Sequence, residues 1–394
     1  MAGIHQFIPV LSRGDGTSNN ALAITRRIRE VGIDSRIYLV ENFSGEEGYF
    51  YSDYLKVMDP QDILIYHLAT SSPIPIFLDS LPNRVVVLYQ NLTPASYFAP
   101  YDLLGAVGQE QARAELSLLA RRSTMGIAPS RFNGNDMIEC GYANVEQVPI
   151  IFDTSDFMGE RDPAVERMLW DINQRGFSNW LFVGRIVPNK AQEHLIMALG
   201  AHREIYGDNA MLHIVGRPTY PAYLDSLYRL AVELGLDKRV NFVLGVSPKE
   251  LASFYAMADL FISASEHEGF GMPLVEAMFH GLPVLAYGKA AVPETVGKGG
   301  IVLDTRDPIV VASWAHEITN SYSLSSAMAE LGRSRLMELA PSETVAILDK
   351  VLEKLLSECG LDGLGDFSRP SSLIADKGSN GILGSQPLVN SSRD

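Results

Sequence analysis

The feature that most constrains the fold is an alternation of short apolar runs with helical patterns along nearly the whole chain of 394 residues. Runs such as Arg84–Gln90 are almost continuous in Val and Leu, which is typical of strands buried on both faces of a sheet. The intervening segment Asn19–Val31 instead spaces its apolar residues three or four apart, as an amphipathic helix does. Strands that alternate with helices form parallel sheets, so we predict an α/β protein.

The strand pattern occurs in two blocks of six. The predicted strands of the first half are His5–Leu11, Ser35–Asn42, Asp62–Leu68, Arg84–Gln90, Met125–Pro129 and Val145–Ile150. Those of the second half are Asn179–Ile186, Ala210–Gly216, Arg239–Gly245, Ala258–Ser265, Leu282–Gly288 and Gly300–Asp304. Two such blocks predict two doubly wound, Rossmann-like domains that face each other across a cleft, where ligands bind at the carboxyl ends of the strands.

The predicted domain limits follow from composition and length. A single core rarely grows beyond about 250–300 residues, which also favours two domains here. We expect a first domain at residues 1–160, a second at 161–360 and a flexible tail at 361–394, where Ser, Gly, Asn and Asp are common.

Charge and cysteine content exclude several classes of protein. The net charge of −15 argues against a nucleic-acid binder, which needs a basic face. Cys140 and Cys359 form neither a metal-ligand spacing nor a disulfide framework, which favours a reducing compartment. No signal-peptide pattern precedes Pro9 and no apolar run reaches the roughly 20 residues of a membrane span, so we expect a cytoplasmic protein.

The most informative segment is 263–278, which follows a predicted strand and opens a helix. Glycines let the backbone approach a ligand closely, and the start of the helix can hold an anion. Glu268 and Glu276 should point into the cleft, where carboxylates accept hydrogen bonds from vicinal hydroxyls. An ordinary strand–turn–helix with two solvated glutamates is the alternative interpretation. The candidate ligand-binding residues of the turn are Gly269, Phe270, Gly271, Met272, Pro273 and Leu274.

A second candidate element follows the first strand of the second block. Arg185 and Lys190 lie five residues apart across a turn that contains Pro188. A planar guanidinium fork and a compact ammonium together suit a diphosphate. Two solvated surface cations are the alternative interpretation.

Together these motifs resemble family 4 of the retaining glycosyltransferases, which have the GT-B fold, over about Asn179–Val302. The resemblance implies that Arg185 and Lys190 hold the diphosphate of a nucleotide-sugar donor. It also implies that Glu276 binds the ribose, and that Glu268 and the backbone of 269–271 bind the sugar. The sequence contains no Asp-x-Asp metal motif, so we expect neither a metal nor another cofactor.

The first half of the chain offers further candidates. Gly14 and Asp15 lie in a phosphate-loop-like turn, although Asn19 stands where a dinucleotide fingerprint has its third glycine. The resemblance implies that this loop faces the diphosphate and the acceptor, so both residues are candidates for donor binding. His67 follows a predicted strand. Family members carry a histidine at a matching strand end that contacts the transferred sugar, so we interpret His67 as catalytic.

The segment Tyr89–Pro94 resembles a Tyr-His-Asn-Ile-Thr-Pro element found in a bacterial, polysaccharide- and mannosyltransferase-like subset of the family. Gln90 replaces the histidine, so a general base is not expected here. Asn91 and Thr93 are candidates for acceptor binding, or they shape the turn before Pro94.

Arginines are clustered at two places, 26–29 and 121–122. A solvated face is one interpretation. The other is a peripheral contact with the anionic inner face of the cell membrane, which would suit a lipid-linked acceptor.

The predicted function is transfer of a hexose, with mannose as first choice, from a nucleotide-diphospho sugar to a hydroxyl of a glycan or lipid-linked glycan in surface-polysaccharide or lipopolysaccharide biosynthesis. The alternatives are a nucleotide-sugar epimerase, a phosphorylase and a non-catalytic sugar-nucleotide-binding protein on the same scaffold. No Walker motif or zinc-hydrolase motif is present, which disfavours a kinase, an ATPase or a zinc enzyme.

Overall fold

The computed structural model describes residues 2–12, 15–152, 157 and 159–374. Its first domain is built on a parallel sheet of order β3-β2-β1-β4-β5-β6-β7. The strands are β1 (Ile4–Ser12), β2 (Ile37–Phe43), β3 (Tyr49–Phe50), β4 (Ile63–Leu68), β5 (Arg84–Tyr89), β6 (Ser123–Ala128) and β7 (Val145–Gln147). The helices are α1 (Gly16–Glu30), α2 (Ile74–Asp79), α3 (Leu103–Ala120) and α4 (Arg131–Glu139).

The second domain has a parallel sheet of order β10-β9-β8-β11-β12-β13. Its strands are β8 (Ser178–Val183), β9 (Ala210–Val215), β10 (Val240–Val243), β11 (Leu260–Ser263), β12 (Val284–Tyr287) and β13 (Ile301–Leu303). The helices are α5 (Pro163–Gln174), α6 (Gln192–Tyr206), α7 (Pro221–Glu233), α8 (Pro248–Met257), α9 (Met272–Phe279), α10 (Val292–Val296), α11 (Pro308–Asn320) and α12 (Tyr322–Glu338). A last helix, α13 (Pro341–Glu358), follows them in the chain.

The predicted α/β class and the two doubly wound domains are confirmed. Each of the twelve predicted strands overlaps an observed strand, and the thirteenth strand of the described residues is the exposed, two-residue β3. In both sheets the chain starts in the middle, moves to one edge and then returns to build the other half. The direction in which successive strands are added to the sheet therefore reverses between β1 and β4 in the first domain and between β8 and β11 in the second.

Apolar clusters lie on both faces of each sheet, which explains the near-continuous apolar runs of the central strands. In the second domain, one cluster joins the sheet to α6, α7 and α11, and the other joins it to α8, α9 and α10. The candidate cleft residues of the second domain therefore lie in the segments that follow its strands.

The last helix, α13, returns to the first domain, although the predicted limits place it in the second. Leu348, Leu352 and Leu355 are buried in one cluster with residues of β1, β4 and α1. Arg27 of α1 is buried and forms a bidentate ion pair with Asp349 of α13, at 2.8 and 2.7 Å. Pairing partners more than 300 residues apart leave no local pattern, so the sequence did not show this crossing.

Residues 361–374 correct the prediction of a flexible tail from residue 361. The backbone N–H of Asp366 donates to the Val31 carbonyl at 2.8 Å, and the carbonyl of Arg369 accepts from Arg27 at 2.9 Å. Four apolar side chains of the segment pack on the same cluster as α13: Leu361, Leu364, Phe367 and Leu373. The rest of the predicted tail, 375–394, lies outside the described residues.

Within the described part of the chain, no helix is both long enough and apolar enough to cross a membrane.

Candidate functional site

The site lies where the sheet of the second domain reverses direction. Because β8 and β11 are parallel neighbours, the segments that follow them meet at one edge of the sheet. The backbone N–H of Glu266 donates to the Asn189 carbonyl at 2.9 Å, and the Asn189 amide donates to the His267 carbonyl at 3.1 Å. Through these two hydrogen bonds, Asn189 joins the turn at 185–190 to the segment 263–278.

Lys190 and Glu268 are brought into direct contact. The Lys190 ammonium lies 2.6 Å from Glu268 Oε1, and the two side chains are 14% and 16% exposed. Arg185, at the start of the same turn, is exposed at the cleft edge of the sheet. An anion that binds Lys190 must therefore share this cation with the Glu268 carboxylate.

Helix α9 begins directly beside this ion pair. Gly271 precedes it with a φ of 91°, a left-handed conformation that favours glycine. Among the described residues, no side chain caps this end of the helix. Pro273 has no N–H and the Leu274 N–H donates to the Gly271 carbonyl at 2.9 Å, so this end would act on an anion chiefly through the positive end of the helix dipole. Phe270 and Leu274 are buried in the core, whereas Met272 and Pro273 are half-buried.

Glu276, one turn inside α9, is held by a residue that the sequence analysis did not single out. The buried Tyr255 hydroxyl of α8 donates to Glu276 Oε2 at 2.6 Å. Burial raises the pKa of Tyr255 well above its usual range, so the phenol stays protonated and remains a donor. In the sequence, Tyr255 lies within an apolar pattern at helical spacing, and no neighbouring residue distinguishes it from a tyrosine of the core.

The first domain contributes the loop after β5. Asn91 has a φ of 73°, and Thr93 is half-buried beside it. The Tyr89 hydroxyl fixes this loop, since it accepts from the Leu92 N–H at 2.9 Å and donates to Asp136, which Arg113 also pairs.

A hydrogen bond connects this loop to the second domain. His267 Nε2 lies 3.1 Å from the Leu92 carbonyl, which can only accept, so Nε2 carries the proton. Burial lowers the pKa of His267, which keeps the ring neutral. His267 lies inside the predicted motif, yet only the domain arrangement shows this contact.

His67 is placed differently from the prediction. It lies within β4, is completely buried, and bridges Gln6 Oε1 at 2.7 Å and the Gln90 amide at 3.3 Å. Burial lowers the pKa of His67 to about 3, so it is neutral at physiological pH. The prediction that His67 contacts the transferred sugar is not supported, because both of its ring nitrogens are engaged inside the sheet by Gln6 and Gln90.

Two other predictions for the first domain concern residues that make structural contacts. Asp15 caps α1 and accepts from the Ser18 N–H at 3.0 Å, while Gly14 lies outside the described residues. Arg122 donates to the Leu81 and Asn83 carbonyls, and Arg27 is committed to Asp349 as described above.

One further cluster from both domains escaped the sequence analysis. Glu266, two residues before Glu268, pairs with Arg306 of the loop after β13. Tyr97 of the first domain hydrogen-bonds Glu266, and burial together with this carboxylate raises the pKa of Tyr97 to about 12. Arg306 also lies over the Tyr287 ring, 4.8 Å from its centre. The cluster helps to hold the domains together next to the ion pair.

Among the residues that the structure describes, no group of three or more His, Cys, Asp or Glu side chains is placed to hold a metal ion. The expectation that no metal is needed stays a prediction.

Comparison with known proteins places this geometry in a class. Residues 177–335 match the family model for glycosyl transferases group 1. The structure of HepE from Anabaena in complex with UDP-glucose superposes with a TM-score of 0.68 at 17% identity, over 90% of this chain and 99% of that one. The second domain is thus a glycosyltransferase group 1 domain, and the chain has the GT-B fold.

Two curated relatives show which glycosyltransferases this chain is similar to. The GDP-mannose-dependent alpha-(1-6)-phosphatidylinositol monomannoside mannosyltransferase of Mycolicibacterium smegmatis is 31% identical over 48% of this chain and 51% of its own length. The D-inositol 3-phosphate glycosyltransferase of Corynebacterium efficiens is 34% identical over 45% of this chain and 42% of its own length. The chain thus spans about half the length of the curated relatives it matches. Over residues 177–335, the part that the family model matches, the predicted resemblance to family 4 of the glycosyltransferases is confirmed.

Proposed function

We propose that this protein is a retaining hexosyltransferase that moves a hexose, preferentially mannose, from a nucleotide-diphospho sugar to a hydroxyl of a glycan or lipid-linked glycan in surface-polysaccharide or lipopolysaccharide biosynthesis. The observation that carries the proposal is the contact of Lys190 with Glu268 beside the uncapped start of α9, with Glu276 one turn further along that helix. A cation, a helix start and two carboxylates together match the diphosphate, the sugar hydroxyls and the ribose of one ligand.

Charge stabilisation at the leaving phosphate would supply most of the catalysis. Negative charge grows on the diphosphate as the bond to the sugar breaks, and Arg185, Lys190 and the positive end of the α9 dipole are the groups suited to it. The attacking hydroxyl would enter on the face that the diphosphate leaves, and the departing phosphate oxygen would take up its proton. No covalent protein nucleophile is required.

The ion pair gives Glu268 a second part in this proposal. Its carboxylate can hold the Lys190 ammonium while its remaining lone pairs accept from sugar hydroxyls. A donor that brings both diphosphate and hydroxyls would therefore engage both members of the pair at once. Free nucleoside diphosphate would engage only the cation.

The substrate proposal rests on the names of the relatives. Mannose is favoured because the relative from Mycolicibacterium smegmatis is named as GDP-mannose-dependent, whereas the HepE complex contains UDP-glucose. Peripheral contact with the cytoplasmic face of the membrane remains part of the proposal. Its candidate residues are reduced to the exposed Arg26 and Arg121, because Arg27, Arg29 and Arg122 make internal contacts.

A thermal-shift panel tests the donor. GDP-mannose, UDP-glucose and the free diphosphates are compared, since a ligand at 100 times its dissociation constant stabilises the folded state by about 2.7 kcal/mol. We expect GDP-mannose to raise the melting temperature most. Transfer itself is then separated from epimerisation by product analysis with and without an acceptor, because an epimerase consumes the donor alone.

Metal independence is tested in the same transfer assay. Since Arg185, Lys190 and α9 are proposed to neutralise the leaving diphosphate, the rate should persist in excess chelator. Complete loss of activity that magnesium or manganese restores would contradict this part of the proposal.

A further inference from the structure

The first turn of α4 lies against the second domain with three consecutive residues. The Arg131 N–H donates to the Glu294 carboxylate at 2.7 Å, and the Phe132 ring meets the His267 ring at 5.5 Å, nearly perpendicular to it. Asn133 follows, and it reaches Gly269 of the turn before α9. This end of α4 therefore faces the segment that is proposed to bind the sugar.

Asn133 and Asn91 lie directly against Gly269. A Cβ atom added at Gly269 would lie 2.4 Å from Asn91 Cβ and 3.2 Å from Asn133 Nδ2, so no side chain fits at this position. The absence of a side chain brings two amide groups of the first domain against the backbone of the second. Both amides therefore border the place where a bound sugar would lie.

The two amides have unused hydrogen-bonding capacity. Asn133 is completely buried, and neither its Oδ1 nor its Nδ2 has a partner among the described residues. Asn91 Oδ1 is also buried and unpartnered within that part of the chain. Buried amides are normally satisfied, because an unpaired polar atom carries its full desolvation penalty.

Asn179, a buried amide in the sheet of the second domain, shows the usual solution. Asn179 accepts from the His213 ring at 2.9 Å, and its amide nitrogen donates to the Leu169 carbonyl at 3.2 Å. Asn133 differs in that both of its polar atoms are unpartnered within the described ranges. An apolar residue of similar size would fill the same space without the penalty, so a role in packing alone does not account for an amide here.

We propose that Asn133 and Asn91 form a hydroxyl-binding pair for a sugar ring in the cleft. An amide presents one acceptor and two donors side by side, which matches two vicinal hydroxyls. The inference rests on the proposed function and extends it to the first domain. The hydroxyls belong either to the transferred sugar of the donor or to a sugar of the acceptor.

The test compares Asn133→Leu with Asn135→Leu. Asn135 lies on the same helix and is exposed, so it controls for helix propensity and side-chain size. We expect Asn133→Leu to keep or raise the melting temperature while kcat/KM falls roughly 10- to 100-fold, the scale of one or two lost hydrogen bonds. Asn135→Leu should keep wild-type kinetics.

Binding measurements identify the source of the hydroxyls. Affinity for free GDP should be unchanged in Asn133→Leu, because the amide does not reach the nucleotide. Weaker binding of GDP-mannose relative to GDP assigns the pair to the transferred sugar. Unchanged donor binding with a raised KM for the acceptor assigns it to the acceptor.

A second variant covers the case in which Asn133→Leu does not fold. Asn91→Gly removes the other amide and keeps the positive φ, so it should lower kcat/KM in the same binding step. A folded Asn133→Leu or Asn91→Gly with wild-type kcat/KM would overturn the inference. Wild-type protein that binds no nucleotide sugar would instead overturn the proposed function and the inference with it.

Discussion

The two domains share one topology but use it differently. In each, a buried histidine bridges amides on the two neighbouring strands: His67 lies between Gln6 and Gln90, and His213 lies between Asn179 and Asn241. The cleft edges, in contrast, are chemically distinct. The second domain presents the Lys190–Glu268 pair and the start of α9, whereas the first presents the Asn91 and Thr93 loop.

The difference shows that the chemistry of a strand end depends on which of its side chains are not already committed to structural contacts. In the first domain, the charged and titratable candidates are committed to the fold: Asp15 caps a helix and His67 lies inside the sheet. In the second domain, the ion pair remains partly exposed at the reversal of the sheet. We therefore expect the second domain to carry all of the charge stabilisation, and the first domain to add hydroxyl recognition to that of Glu268 and Glu276.

The largest expected effect concerns Arg185 and Lys190. Interactions that strengthen as charge develops on the leaving phosphate lower the barrier, and losing one such donor typically costs about 10²–10³ in turnover. We expect Arg185→Ala and Lys190→Ala each to reduce kcat on this scale, with smaller losses in donor affinity. Lys190→Arg should rescue only in part, because a planar fork does not replace a compact ammonium.

The control for this pair is Lys238→Ala. Lys238 is exposed and lies just before β10, at the edge of the sheet away from the strand carboxyl ends. Its removal should leave steady-state kinetics unchanged. Near-wild-type turnover in both cleft variants would mean that the diphosphate binds elsewhere and that the two domains do not divide the chemistry as argued.

Glu276 should show a smaller effect on nucleotide binding. A carboxylate that bridges ribose hydroxyls acts on the whole nucleotide, so Glu276→Ala should weaken free GDP binding by about 1–3 kcal/mol. Tyr255→Phe removes only the hydrogen bond that orients this carboxylate and should cost about 0.5–1.5 kcal/mol. Calorimetric titration measures both, and unchanged GDP affinity in a folded Glu276→Ala protein would remove the ribose assignment.

The sequence predicted those parts of the molecule that have a local signal. Apolar periodicity located the strands, and the turns at 185–190 and 266–276 located the cleft edge of the second domain. Spacing also predicted that Lys190 and Glu268 would lie at the same edge, because parallel strands end together. Their direct contact at 2.6 Å then required the structure.

The remaining features depend on pairs of residues far apart in the chain. Arg27 looked like part of a solvated basic face, but its partner Asp349 lies on the helix that crosses back. His67 looked like a strand-end histidine. Its partners, Gln6 and Gln90, lie far from it in the chain, so the local sequence did not show that the ring is engaged inside the sheet. Asn133 had no signal at all, since its position depends on how the domains approach each other. Long-range contacts of this kind leave no periodicity or spacing to detect.

The last expected effect is on stability and not on turnover, and it separates His67 from the cleft. Burial holds the pKa of His67 near 3, below the roughly 6.5 of an exposed histidine, so the unfolded chain binds one more proton between these values. The stability that this histidine contributes is complete above pH 6.5 and is lost as the pH falls toward 3, by about 1.4 kcal/mol per pH unit. His67→Gln should reduce the slope of unfolding free energy against pH in this window by that amount.

His213→Gln should do the same, because burial lowers the pKa of His213 to about 4. Denaturant titrations between pH 4 and pH 7 measure both slopes. An unchanged slope for His67→Gln, together with a shifted pH–rate profile, would return His67 to the cleft as a group that titrates during turnover.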